Sequence, residues 1–199
     1  MEKRSRSERP GSPRARLFLA LELPTSVRSS LVEWRDRALE GRGDLRPVAP
    51  EALHVTLVFL GYQYEKEISR IVSAAFDAVR GRAAPFLEPA GVVPVPRSRD
   101  PRLFALDLVD PSGECAALQR AASDALAAER FYEPEKRPFW PHATLARVKR
   151  GVRRAPALEP SSGPPSLEPF TAPAVTLYRS ILRREGALYE PLERLDLGP

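Results

Sequence analysis

His54-Val55-Thr56-Leu57 and His142-Ala143-Thr144-Leu145 contain every histidine of this 199-residue chain. Each tetrapeptide sits in an apolar run of strand character, VTLVFL and ATLARV. In a strand, residues i and i+2 project from the same face. His54 and Thr56 then point one way, with Val55 and Leu57 pointing into a core, and His142 and Thr144 repeat that geometry over Ala143 and Leu145. A lone His-x-Thr is usually a partly buried imidazole that has found a hydrogen bond. The second copy, with no histidine outside the pattern, points instead to a symmetric acid–base site, because imidazole gives or takes a proton near neutral pH.

The elements around the two strands read as two comparable halves. Arg16-Leu-Phe-Leu-Ala-Leu-Glu-Leu23 is a first strand ended by Pro24, and Thr25 is placed to cap a helix over 26–39. Gly41, Gly43 and Pro47 mark a loop. The first motif strand runs over 53–60, closed by Gly61, before an amphipathic helix over 65–80. Residues 86–95 form an edge or irregular strand, disturbed by Pro89 and Pro94. A clearer strand covers 102–109, a helix 114–130, and the second motif strand 142–148. Residues 151–169 read as a Pro/Ser/Gly-rich loop, and 174–183 with 187–197 as a closing hairpin about Glu185-Gly186. This order suggests a bilobal α+β fold made by pseudo-twofold duplication. Two antiparallel sheets would face a central cleft, with helices on the outer faces.

Composition narrows the class. Apolar content of 43% and charged content of 29% are those of an ordinary globular chain. No apolar run reaches the ~20 residues of a membrane span, and the N-terminus carries no secretory h-region. The single cysteine, Cys115, excludes an internal disulfide, fits a reducing cytoplasm and reads as a small core residue. Residues 1–16 carry six basic side chains against Glu2 and Glu8, so most of the formal +5 lies there. Residues 1–15 are expected to be a disordered basic tail, and 16–199 a single bilobal domain. Such a tail attracts RNA without specificity or is simply solvated. Two histidines are too few for a metal hydrolase, which needs three or four converging ligands, so neither metal nor cofactor is expected.

With both motifs in hand, the chain resembles the two-histidine phosphoesterase superfamily, and within it the RNA 2′,3′-cyclic phosphodiesterase family, also described as 2′-5′ RNA ligase-like. The resemblance spans Arg16-Leu-Phe-Leu-Ala-Leu-Glu-Leu-Pro24, Leu53-His-Val-Thr-Leu-Val-Phe-Leu-Gly61, Arg137-Pro-Phe-Trp-Pro-His-Ala-Thr-Leu-Ala-Arg147 and Thr176-Leu-Tyr-Arg-Ser180 through Leu188-Tyr189. It implies metal-independent opening of RNA 2′,3′-cyclic phosphate ends to 2′-phosphomonoesters. His54 would be the proton donor to the leaving 3′-oxygen and His142 the proton acceptor that activates water. From the motifs alone these roles are interchangeable. Thr56 and Thr144 have the reach to bind phosphate oxygens. Strand alternation puts Arg147 on the face opposite His142, but the family pattern has an arginine here, and a twist or bulge would return it to the phosphate. Phe18 is a candidate to stack on a base or a core residue, and Tyr178 and Arg179 are weaker rim candidates. The 86–101 region departs from the family pattern through its prolines. The expected protein is a monomeric, cytoplasmic enzyme acting on RNA without membrane attachment. Its alternatives are a related phosphodiesterase for a nucleotide-derived cyclic phosphate or a 2′-5′ linkage, and a non-catalytic RNA-binding protein.

Overall fold

The computed structural model describes residues 12–97, 100–152, 158, 165–183 and 186–198. Most of the expected tail and much of the 151–169 segment lie outside the described residues, as does Glu185 of the hairpin signal. The elements are β1 (Arg14–Glu22), α1 (Thr25–Ala38), β2 (Leu45–Pro47), β3 (His54–Tyr64), α2 (Ile68–Val79), β4 (Phe86–Val95), β5 (Leu103–Val109), α3 (Glu114–Ala128), β6 (His142–Val148), β7 (Phe170–Thr171), β8 (Ala174–Arg183) and β9 (Gly186–Asp196). The strands run in the order β7-β4-β5-β6-β3-β1-β8-β9, with β2 added to β6. Every pairing is antiparallel.

The fold is α+β, and within the sheet its two halves are joined by a single rung. β7, β4, β5, β6 and β2 build the half of the sheet around the second motif, while β3, β1, β8 and β9 build the half around the first. Between them, β3 and β6 share one rung, Val55 opposite Ala143. That rung joins the two expected sheets into one curled ladder and sets the motif strands side by side.

β1 lies between β3 and β8 and is buried on both faces, which explains its unbroken apolar run. Leu17, Leu19, Leu21 and Leu23 enter the main core, together with Leu31 and Trp34 of α1, Ile71 and Phe76 of α2, and Leu118 and Leu126 of α3. The opposite face of β1 carries Arg16 and Phe18 to the cleft. Helices α2 and α3 pack against one another. Asp110 accepts hydrogen bonds from the backbone N–H groups of Cys115 (3.3 Å) and Ala116 (2.9 Å), satisfying donors at the start of α3.

Several local expectations change. Thr25 is the first residue of α1 rather than its cap; Pro24 holds the capping position, with no side-chain cap bond. Gly61 does not close β3. It takes φ +68° beside an irregularity where Leu17 faces Gly61 and Phe18 faces Phe59, and the strand continues to Tyr64. Glycine adopts that angle without a Cβ penalty, so the strand bends rather than ends. Residues 45–47, read as loop, form β2, and the first strand begins at Arg14, inside the span expected to be tail. β4 is paired along its length to β5 alone, apart from Phe86 and Leu87 against β7, so Pro89 and Pro94 sit where a missing N–H is tolerated. No described helix is long and apolar enough to cross a membrane.

Leu19 has no exposed surface at the centre of the core. Leu19→Ala is expected to lower unfolding stability by about 2–5 kcal/mol, measured by urea denaturation. A loss below about 1 kcal/mol would show that β1 is not the central packed strand.

Candidate active site

Both motif strands slip by one residue at the leucine of the motif. In β3, Ala20 faces Thr56 while Leu19 faces Val58, which leaves Leu57 as the extra residue of a bulge. In β6, Ala105 faces Thr144 and Phe104 faces Ala146, which leaves Leu145 in the same position. Each bulge inverts the alternation beyond it. Burial follows the slip: Leu57-Val58 and Leu145-Ala146 are consecutive buried pairs. The fifth residue after each histidine therefore returns to the histidine face. On β6 that residue is Arg147, and on β3 it is Phe59. Arg147 thus lines the cleft, where alternation alone would have excluded it.

The cleft is lined by Arg16, Phe18, Val48, Ala52, His54, Thr56, Phe59, His142, Thr144, Arg147 and Tyr189. An antiparallel pair centred on Val55 and Ala143 sets His54 across from Thr144 and Thr56 across from His142. The two histidines then lie on a diagonal, roughly 7–8 Å apart at the backbone, a span suited to a phosphate between their rings.

Each imidazole is tethered alike. His54 Nδ1 lies 2.8 Å from the carbonyl oxygen of Ala52, and His142 Nδ1 lies 2.9 Å from that of Trp140. A carbonyl only accepts, so Nδ1 carries the proton in both rings and Nε2 is the working atom. His54 Nε2 lies 3.0 Å from Thr56 Oγ1; with neutral His54, the hydroxyl donates.

The packing around the two rings differs. His54 sits in an aromatic cluster with Phe18 (centroids 4.8 Å apart), Tyr189 (5.3 Å) and Tyr178 (6.1 Å). Burial pushes its pKa down to about 4; the Ala52 carbonyl opposes this, and the nearness of His142 and Arg147 adds to it. His142 stacks on the Trp140 indole at 4.1 Å, with planes 14° apart. Trp140 Nε1 donates to Asp107 Oδ1 (2.6 Å), and Arg97 pairs with the other carboxylate oxygen at 2.9 Å, so the indole is locked.

Phe18 borders the cleft but does not offer a free ring to a base. Its ring packs with His54, Tyr178 (5.2 Å) and Tyr189 (4.8 Å) and is 3% exposed, so it serves as the support of His54. Tyr178 reaches the site only through that cluster. Arg179 is held by Glu65 (3.3 Å) and Glu190 (3.8 Å), away from the cleft lining. Cys115 is fully buried, and burial pushes its thiol up to about 12, which makes it a core residue.

The motif reading passed over Arg16, Phe59, Trp140 and Tyr189. Arg16 lies over the Phe59 ring at 4.4 Å and donates to Ser180 Oγ at 2.7 Å, which brings a cation to the lobe opposite Arg147. Aligning the two motifs by their histidines would have matched Phe59 with Arg147. Among the described residues, no three His, Cys, Asp or Glu side chains gather as a metal-ligating group.

Fold and site together define an α+β protein in which two His-x-Thr strands meet at the floor of one cleft. The chain belongs to the 2'-5' RNA ligase superfamily, whose family model matches residues 23–183. It is 34% identical to the RNA 2',3'-cyclic phosphodiesterase of Thermus thermophilus over 92% of this chain and 90% of that protein. It is 28% identical to the Escherichia coli protein of the same name over 92% of this chain and 96% of that one. Among solved structures, one from Thermus thermophilus superposes with a TM-score of 0.73 at 30% identity, covering 92% of this chain and 97% of the other. Escherichia coli LigT complexed with 3'-AMP superposes with a TM-score of 0.71 at 28% identity, covering 94% and 100%.

His54 ordinarily titrates near 6.5 in an unfolded chain and at about 4 in the fold, so between those values the unfolded state binds more protons. Stability is therefore expected to fall as pH is lowered from 6.5 to 4, with His54 contributing at most about 3 kcal/mol. In His54→Gln that part of the decline disappears. Identical stability–pH profiles for the two proteins, followed by thermal unfolding, would contradict the depressed imidazole.

Proposed function

We propose that this chain is an RNA 2′,3′-cyclic phosphodiesterase that opens terminal cyclic phosphates to 2′-phosphomonoesters by acid–base catalysis without a metal. The observation that carries this reading is the matched pair of imidazoles, each tethered through Nδ1 to the carbonyl two residues earlier, with Nε2 turned to one cleft. The names and extent of the relatives support the same activity.

His142 acts as the base. Its Nδ1–H is spent on the Trp140 carbonyl, and its Nε2 lone pair has no hydrogen-bond partner among the described residues. It takes the proton of a water that attacks phosphorus from the side opposite the ribose 3′-oxygen. His54 acts as the acid, giving its Nε2 proton to that 3′-oxygen as the P–O bond breaks. The phosphate stays on the 2′-oxygen, and the histidines end with their protons exchanged.

Burial favours neutral His54, so the ring takes its catalytic proton from solvent as the substrate's anion binds beside it. An anion about 4 Å from Nε2, at an effective dielectric of about 20, favours the imidazolium by roughly 4 kcal/mol, or about three powers of ten in protonation. That offsets the burial that holds His54 at about 4 and returns it to the neutral range. The Thr56 hydroxyl, released from Nε2, turns to a non-bridging phosphate oxygen, with Thr144 and Arg147 as further donors. An RNA 5′-hydroxyl in the place of water gives a 2′-5′ linkage by the same proton transfers. The enzyme is read as a monomer in the cytoplasm.

His54→Ala and His142→Ala are each expected to lower turnover of an RNA oligonucleotide ending in a 2′,3′-cyclic phosphate by at least ~10²-fold while the fold is retained. Near-wild-type rates in either variant would end the two-histidine mechanism. With substrate bound, kcat should trace a bell in pH set by the histidine pair, and EDTA should leave it unchanged. A monotonic rise into alkali, or loss with EDTA, would point to metal-bound hydroxide. Phosphorus NMR should find the phosphate on the 2′-oxygen; a 3′-phosphate would exchange the roles of His54 and His142 and keep the pair.

A further inference from the structure

β2 carries a charge arrangement that its strand pairing disfavours. Arg46 lies directly opposite Arg147 in the β2–β6 register. Directly opposed side chains share a face, and like charges so placed repel. Among the described residues neither arginine makes an ion pair. Both line a second cavity with Arg35, Val48, Ala52, Gly186, Ala187 and Tyr189. Arg35 is almost fully buried there and already satisfied: its Nε and Nη2 donate to Asp36 Oδ1 at 2.8 and 2.7 Å, and its Nη1 to the Val48 carbonyl. The unspent charge of this cavity is thus that of Arg46 and Arg147, set over a third cation.

The cavity is continuous with the catalytic cleft. Val48, Ala52, Arg147 and Tyr189 line both, so Arg147 stands between two anion-sized spaces. A cation pair that destabilises the empty strand pairing is stabilised by an anion that bridges it. In a substrate whose reacting phosphate lies between the histidines, the next phosphate belongs to the 5′-oxygen of the same nucleoside, one ribose away.

We infer that Arg46, with Arg147, forms a second phosphate subsite that receives the 5′-phosphate group of the terminal nucleotide, which makes the enzyme selective for RNA ends over free nucleoside cyclic phosphates. The inference rests on the cyclic-phosphodiesterase reading and names its substrate class. Arg46 is a specificity residue here, remote from the bonds that form and break.

The test compares three substrates: a nucleoside 2′,3′-cyclic phosphate, the same compound with a 5′-phosphate, and a dinucleotide ending in the cyclic phosphate. Wild-type kcat/KM should favour the second and third over the first by roughly ten- to hundred-fold, the size of one charge-assisted hydrogen bond. Preference for the second alone would overturn the selectivity for RNA ends, because the subsite would then take only a monoester. Arg46→Gln should remove most of the preference by raising KM for the phosphorylated substrates. It should also lower the slope of log(kcat/KM) against log[salt] for the dinucleotide by about 0.7, one phosphate contact on a single strand. In the absence of substrate, inorganic phosphate should raise the melting temperature of wild type more than that of Arg46→Gln. Equal losses of Arg46→Gln on all three substrates, or a wild type indifferent to the 5′-phosphate, would overturn the inference. A wild type that turns over none of the three would instead overturn the catalytic reading on which it rests.

Discussion

The site depends on one rung of hydrogen bonding. Val55 and Ala143 are the only paired residues between β3 and β6, and each directly follows a histidine. A longer ladder would hold the two motif strands flat against one another and leave no room for a substrate. The lobes are also held together by α2 packed on α3 and by a core common to both halves. A single pairing lets the sheets diverge on either side, so that the imidazoles converge over the join while the strands open into a cleft. Bulges at Leu57 against β1 and at Leu145 against β5 bend both motif strands just beyond this rung.

The histidines share a tether and differ in almost everything else. His54 is set in aromatic rings that shield it from water and penalise its charge, whereas His142 lies on an indole locked by Asp107. The two motifs are alike in sequence and in tether, but the proposed acid–base displacement needs two rings in different protonation states. The surroundings break the symmetry. In the proposed mechanism, an imidazole whose burial favours the neutral form gains its proton as the substrate's anion binds, so protonation and binding are coupled.

Cations are distributed with the same asymmetry. The position five residues after the histidine is arginine on one strand and phenylalanine on the other, and Arg16 compensates by lying over that phenylalanine from β1. On the β6 side, Arg147 is joined by Arg46 across the strand pair. In the proposed function, a terminal nucleotide would meet Arg16 on one side of the cleft and Arg147 with Arg46 on the other. This gives a pseudo-symmetric site a direction.

Much of the fold was legible in the chain itself. The apolar run 17–23, the amphipathic helices and the two His-x-Thr strands each announce their periodicity over a few neighbouring residues, and the structure places them where those periods require. What the sequence by itself determined is therefore the α+β class, the two strands and the histidines and threonines they present to one face. Tertiary structure decided the rest. Arg147 reaches the cleft because Leu145 bulges, and a bulge is set by the register of the partner strand, which no local pattern records. Phe18 is buried beneath His54 rather than offered to a base because β8 and β9 bring Tyr178 and Tyr189 onto it. Arg46 faces Arg147 only because three residues read as loop add to the edge of β6. Side-chain alternation is a property of one strand, whereas these contacts belong to pairs of strands far apart in the chain, and only the folded sheet brings them together.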